Sequence, residues 1–288
     1  MIISNEDTSI NLGKINIICN IDQKNSYKVA QVLMKFLEKN SFNYTCQDIS
    51  PKQSLTDLNF DKDATFVVTI GGDGTLLSSA RFYSNFDVPV FGINAGRLGF
   101  LAQIGHDELK IGLEKILKGE FKIQERLMLK CQTSVTNTKL DALNDIVLKG
   151  GAVSRTSRLF LSINGNKVCD YLADGLIIST PTGSTAYNLS AHGPIIMPTL
   201  KTIAITPICP HSLTVRPLVV SQKEKIEIRT ENTVDITYVT ADGQENCRLE
   251  KDEAVFIEKS DKKAKLVMLT QDKNNFYRVL RQKLYWGL

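Results

Sequence analysis

Val67-Val68-Thr69-Ile70-Gly71-Gly72-Asp73-Gly74-Thr75 carries a β-branched apolar strand straight into a turn with three glycines. Ala64 to Ile70 has the pattern of a buried strand, and Thr75 to Tyr83 is suited to start a helix immediately after it. Glycine admits positive φ and lets phosphate oxygens approach the backbone. The helix start beyond offers free N–H groups and a partial positive charge, which favour an anion. A carboxylate at Asp73 repels phosphate unless it binds Mg²⁺ or takes a proton from an attacking hydroxyl. Taken alone, the segment is equally compatible with a plain Gly-Asp-Gly turn.

The surroundings of this turn alternate between strand and helix. Ile15 to Cys19 and Val88 to Ile93 read as buried strands, while Tyr27 to Glu38 and Asp107 to Leu117 have helical apolar spacing. This predicts an α/β N-terminal domain over 1–122, with a parallel sheet covered by helices. From about Phe121 strand-like runs dominate, among them Leu127 to Val135, Ala142 to Lys149 and Gly175 to Ser179. Asn164-Gly165 marks a tight hairpin. A β-rich C-terminal domain over 123–270 is expected, antiparallel and built as layered sheets or a sandwich. Its one helix should begin near Thr185. The tail, 271–288, starts with helical spacing and is expected to pack back on the α/β domain.

The chain has 288 residues, 42% apolar and 23% charged, with net charge +4. That supports real cores and two domains, and gives no case for disorder or for a nucleic-acid binder. No apolar run is long enough to cross a membrane, and the polar start with Glu6 and Asp7 is unlike a secretory signal. The six cysteines form no Cys-x-x-Cys pair, and His106, His192 and His211 are isolated. A cytoplasmic protein is expected, and no metal ligand set is assigned. Neither a P-loop nor a Gly-x-Gly-x-x-Gly fingerprint is present, so a nucleotide site must be of another kind.

Four further segments carry polar groups at strand ends. Phe91-Gly92-Ile93-Asn94-Ala95-Gly96-Arg97-Leu98-Gly99-Phe100-Leu101 is a second glycine-rich strand end, or a plain tight connection. Asn144 and Asp145 interrupt an apolar run, and a buried polar pair needs partners, from a ligand or from backbone. Asp174 to Ser190 leads an apolar strand into a Thr/Gly/Ser-rich turn, where Ser184 or Thr185 is placed to cap a helix. Thr240-Ala241-Asp242-Gly243-Gln244 reads by itself as a hairpin turn.

Together, and in this order, these segments resemble the NAD kinase family. The likeness rests on Gly71-Gly72-Asp73-Gly74, Asn94 to Leu101, Asn144-Asp145, Asp174-Gly175, Thr180 to Tyr187 and Asp242-Gly243-Gln244, and Pro210 to Pro217 also fits. The resemblance implies ATP-dependent phosphorylation of the 2′-hydroxyl of the adenosine ribose of NAD, giving NADP, with Mg²⁺ as the metal. It implies Asp73 as proton acceptor and an NAD site of Asp73, Gly74, Asn144, Asp145, Arg155, Asp174, Thr185, Ala186, Tyr187, Asn188, Leu189, Ser190 and Gln244. Gly71, Gly72 and Thr75 would form the phosphate turn. It further implies a homo-oligomer, dimer or tetramer, with the site completed by a neighbouring subunit. Leu172 departs from the pattern, standing where relatives carry a basic residue; Arg155 or Arg158 would have to compensate. A lipid kinase with the same turn, or a dinucleotide sensor without turnover, are the rival readings.

Overall fold

Residues 12–50, 60–96, 99–102, 104–150, 157–230, 237–270 and 276–286 are described in the computed structural model. The chain forms two compact units, Met1–Glu125 with Lys265–Leu288, and Arg126–Ala264.

In the first unit, β1 (Ile15–Asn20), α1 (Ser26–Lys39), β2 (Tyr44–Ile49), β3 (Phe66–Gly71), α2 (Asp73–Tyr83), β4 (Val90–Asn94), β5 (Ile104–Gly105) and α3 (Leu109–Leu117) follow one another. The strands lie in the order β2-β1-β3-β4-β5, every pair parallel. β1, β3 and β4 are buried at every position, which is why they read as unbroken apolar runs. Val29, Ala30, Leu33 and Leu37 of α1 and Leu109, Leu113 and Ile116 of α3 join Ile17, Val68, Phe91 and Ile93 in one core. Parallel strands end on one side, so Asn20, Gly71 and Asn94 share the carboxyl edge of the sheet, with Gly71 directly opposite Asn94. Open α/β sheets bind ligands at that edge.

In the second unit, β6 (Phe121–Thr133, entering from the first unit) pairs with β7 (Lys139–Ala142). There follow β8 (Asp145–Gly150), β9 (Ser157–Ile163), β10 (Asn166–Ala173), β11 (Gly175–Ser179), α4 (Tyr187–Ser190), β12 (Thr202–Ile208), β13 (Leu218–Ser221), β14 (Ile226–Thr230), β15 (Thr237–Ala241), β16 (Glu245–Arg248) and β17 (Ala254–Leu269). One antiparallel layer runs β10-β9-β14-β17, and a second runs β13-β12-β11-β8-β15-β16. Leu159, Leu161, Ile226, Ile228 and Val255 of the first layer share a core with Leu148, Leu176, Ile178, Ile203 and Val239 of the second. Both halves of the expected fold class hold: a parallel α/β part, then layered antiparallel sheets. α5 (Phe276–Leu284) closes the described chain, belongs to the first unit and buries Val279 and Leu280.

Local details depart from the sequence reading. α2 begins at Asp73, two residues before the expected start. The run Ala142 to Lys149 is two strands, β7 and β8, broken at Leu143-Asn144. Asn164 and Gly165 take φ of +50° and +79°, as the tight hairpin requires. Neither Ser184 nor Thr185 caps α4: Ser184 Oγ donates to the Pro181 carbonyl and Thr185 Oγ1 to the Thr182 carbonyl.

Candidate active site

In the first unit, β3 ends at Gly71, Gly72 takes the N-cap position in extended backbone, and Asp73 opens α2. None of Gly71, Gly72 and Gly74 has positive φ, so left-handed backbone is not what these glycines supply. What the sequence needs here is room. A Cβ on Gly71 would stand 2.8 Å from Thr75 Cβ, whereas one on Gly74 would meet nothing within 4 Å. Thr75 is buried and its hydroxyl accepts from Asn20 Nδ2 at 3.0 Å, which ties the turn to the end of β1. Gln23, just beyond β1, lies beside Gly72, and its Oε1 is buried with no hydrogen-bond partner among the described residues. Asp73 is half-buried, and its carboxylate accepts from the Phe100 and Leu101 N–H groups at 2.7 and 3.2 Å. A glycine-lined turn, a helix start and a fixed carboxylate thus meet at the carboxyl edge of the sheet. That combination suits an anion whose neighbour must give up a proton.

In the second unit, the start of β8 lies between the ends of β11 and β15, with Asp145 opposite Ser179 and Ile146 opposite Ala241. Three of the polar segments therefore converge at one end of three adjacent strands. Asp242 and Gly243 form the two-residue turn with φ of +54° and +65°. The Asp242 carboxylate accepts from three consecutive N–H groups, Leu143 at 2.9 Å, Asn144 at 2.7 Å and Asp145 at 3.1 Å. Thr180 returns to the same bend: its N–H donates to the Asn144 carbonyl and its hydroxyl to the Leu143 carbonyl. Gly183 packs so tightly that a Cβ would lie 2.6 Å from Asn144 Cα. The backbone of the bend is thus satisfied within the fold, and the Asp145 carboxyl is buried beside it, only 4% exposed.

Burial, and next the charge of Asp242, push Asp145 up to about 7. An unfolded Asp titrates near 4, so between about pH 4 and 7 the folded chain binds a proton the unfolded one has lost. Stability therefore falls as pH rises through that window, and the full penalty, on the order of a few kcal/mol, applies above it. Asp145→Asn should flatten this dependence and be the more stable form at pH 8. Urea unfolding of both proteins at pH 5 and pH 8 measures it, and an equal pH slope in the two would refute it.

Two comparisons decide the family. The ATP-NAD kinase N-terminal domain model matches residues 15–121, and the ATP-NAD kinase C-terminal domain model matches residues 143–269. The chain belongs to the ATP-NAD kinase family. It is 38% identical to the NAD kinase of Thermoanaerobacter sp. (strain X514), over 95% of this chain and 99% of the relative. It is 37% identical to that of Geobacter sulfurreducens, over 96% and 99%. Among solved structures, a yeast NADH kinase complexed with NADH superposes with TM-score 0.81 at 25% identity, covering 96% of this chain and 89% of that one. An Archaeoglobus fulgidus NAD kinase in complex with ATP gives 0.75 at 27%, covering 94% and 98%.

The residues that the NAD kinase resemblance singled out do not all fall together. Asn144, Asp145 and Gln244 share the end of the sheet just described. Asp174 stands just before the other end of β11, ~16 Å away along the strand at about 3.3 Å per residue. Thr185 to Ser190 follows β11, and Ala191 beyond it packs against the cluster of Val147, Ile177 and Ile208, the last being the partner of Gly175. Within that run Tyr187 is 38% exposed and Ser190 is exposed, while Thr185, Ala186 and Leu189 are half-buried. Asn188 is fully buried and its amide is engaged: Nδ2 donates to the Ser184 and Pro194 carbonyls and Oδ1 accepts from Thr206 Oγ1. Arg155 lies outside the described residues, as do Arg97 and Leu98. Leu172 is exposed, and its cross-strand partner is Arg158, which brings a cation beside the position that lacks one.

Two residues to which the sequence assigned no site role are built into the same places. Asp242 holds the Asn144-Asp145 bend. Arg126 is 4% exposed, its Nη1 lies 3.4 Å from Thr182 Oγ1, and its Nε has no partner among the described residues. Burial draws its pKa down to about 10. The available signal was a lone cation where β6 turns apolar, Arg126-Leu127-Met128-Leu129.

Proposed function

We infer that this protein transfers the γ-phosphoryl group of ATP to the 2′-hydroxyl of the adenosine ribose of NAD, giving NADP and ADP. Membership of the ATP-NAD kinase family across both halves of the chain carries this reading. The 2′-oxygen attacks the γ-phosphorus, the bond from that phosphorus to the β,γ-bridging oxygen breaks, and ADP leaves. The hydroxyl proton passes to Asp73. A ribose hydroxyl is a poor nucleophile, and a fixed carboxylate at the phosphate turn orients it and takes the proton late. Gly71, Gly72, Gly74 and Thr75 receive the phosphates, and Gly74 leaves open space for them. Asn144, Asp145, Gln244 and the run Thr185 to Ser190 bind NAD, with Asn188 shaping that run from within.

Among the described residues no three His, Cys, Asp or Glu side chains form a metal site. The described residues therefore offer Mg²⁺ no cage of three such side chains. An ion arriving with the triphosphate would keep phosphate and water oxygens as ligands, as Mg²⁺ commonly does. We assign phosphate chemistry to 1–122, NAD recognition to 123–270 and docking on the α/β domain to 271–288. A homo-oligomer fits the placement of Asp174 away from Asn144 and Asp145, since a second copy can bring Asp174 to its neighbour's site. The scattered, unpaired cysteines support a cytoplasmic protein.

Purified protein given NAD, ATP and Mg²⁺ is expected to form NADP. Binding of NAD without product would favour a sensor, and ATP-dependent phosphorylation of a lipid in place of NAD would favour the lipid kinase. The matches of both domain models support neither rival.

A further inference from the structure

We propose that Gly99 and the N–H groups of Phe100 and Leu101 form a cradle that holds the Asp73 carboxylate in its reactive orientation. This rests on the reading of Asp73 as the proton acceptor and adds positioning groups to it. The two amides take one oxygen each, Phe100 N–H on Oδ2 at 2.7 Å and Leu101 N–H on Oδ1 at 3.2 Å. A carboxylate has two lone-pair directions on each oxygen. One on each oxygen therefore remains for a substrate hydroxyl, and Asp73 stays half-exposed, so the cradle aims the group without sealing it.

Gly99 is what allows so close a fit. A Cβ there would overlap the carboxylate, 2.6 Å from Oδ2 and nearer still to Cγ and Oδ1. The clash is with a short side chain on the first turn of a helix, held by two hydrogen bonds, so it has no flexible end to yield. The segment is itself braced: Lys283 Nζ of α5 lies 6.0 Å over the Phe100 ring, within cation–π range. Phe100 and Leu101, beyond β4, thereby act on the first residue of α2, 27 and 28 positions earlier in the chain.

Gly99→Ala tests this. Displacing a reacting group by about 1 Å costs on the order of 10²-fold in rate. The variant should lose about 100-fold in kcat for NADP formation, with KM for NAD and ATP within about threefold of the parent and a cooperative melt lowered by no more than about 10 °C. Gly105→Ala, where a Cβ meets nothing within 4 Å, serves as the neighbouring control and should keep parental kcat. A kcat for Gly99→Ala within about threefold of the parent overturns the cradle, as does a loss confined to KM. A second measurement does not depend on that variant folding. The Phe100 amide proton should exchange at least about tenfold faster in Asp73→Ala than in the parent, and equal rates would also overturn the proposal. If the parent forms no NADP, the kinase reading fails instead, and the exchange measurement still reports on the cradle alone.

Discussion

Asp73→Asn is expected to lower kcat for NADP formation by about a thousandfold while NAD affinity stays within about threefold. Proton transfer by a positioned side chain contributes ~10²–10⁴-fold, and an amide cannot accept the ribose proton. The substitution keeps shape. Asn Oδ1 can still accept the short bond from Phe100 N–H, leaving the Leu101 N–H facing an NH₂ group, a loss of about 1 kcal/mol. NAD affinity is spared because the dinucleotide contacts assigned to Asn144, Asp145 and Gln244 belong to the second unit's sheet and are untouched. The signature is thus a fall in kcat without a matching change in KM, which marks an interaction made only in the transition state. Steady-state kinetics, NAD titration and a thermal melt together read it. A variant retaining more than about a tenth of parental kcat would remove Asp73 from the role of base.

What could be read from the sequence was local. β1, β3 and β4 are buried on both faces and appear as apolar runs, so the parallel sheet and its glycine-ended strand were visible. The Asn164-Gly165 hairpin was visible because only a few residue types accept left-handed φ. What could not be read was set by partners far along the chain. The split of β7 from β8 follows from Asp242, 97 positions after Asp145. The hold on Asp73 comes from Phe100 and Leu101. Asn188 shows the converse: a polar side chain at a ligand-like helix start, it is used up inside the fold by Ser184, Pro194 and Thr206. Composition at a strand end thus reveals that polar groups gather there, but which face a ligand and which face the protein is decided by the hydrogen-bond partners.

Asp242→Ala should cost more stability than any surface change and should remove NAD binding with it. The Asp242 carboxylate accepts from the N–H groups of Leu143, Asn144 and Asp145, and its own N–H donates to the Asp145 carbonyl. Leu143 is fully buried and Asp145 nearly so, so these donors have little access to water once the carboxylate is gone. Each unsatisfied buried donor costs roughly 1–3 kcal/mol. Alanine also tolerates the left-handed φ of +54° less well than aspartate. Loss of the charge on Asp242 removes one of the two causes raising Asp145, which offsets part of the cost above pH 7. A net loss on the order of 3–5 kcal/mol remains, against a total of ~5–15 for a typical domain. At ~2–4 °C per kcal/mol for a chain of this class, the melting temperature should drop by about 10 °C. The bend that presents Asn144 and Asp145 would then open, and NAD affinity should fall at least about tenfold. Asp242→Asn separates shape from charge. Its oxygen still accepts from the bend, and asparagine accepts left-handed backbone, so the melting temperature should stay within a few degrees. With the neighbouring charge gone, the titration of Asp145 should move down from about 7. Melts and NAD titrations of both variants across pH 5 to 8 distinguish the two effects. Should Asp242→Ala melt within about 2 °C of the parent, water must satisfy the three amides, and Asp242 would hold the site by charge alone.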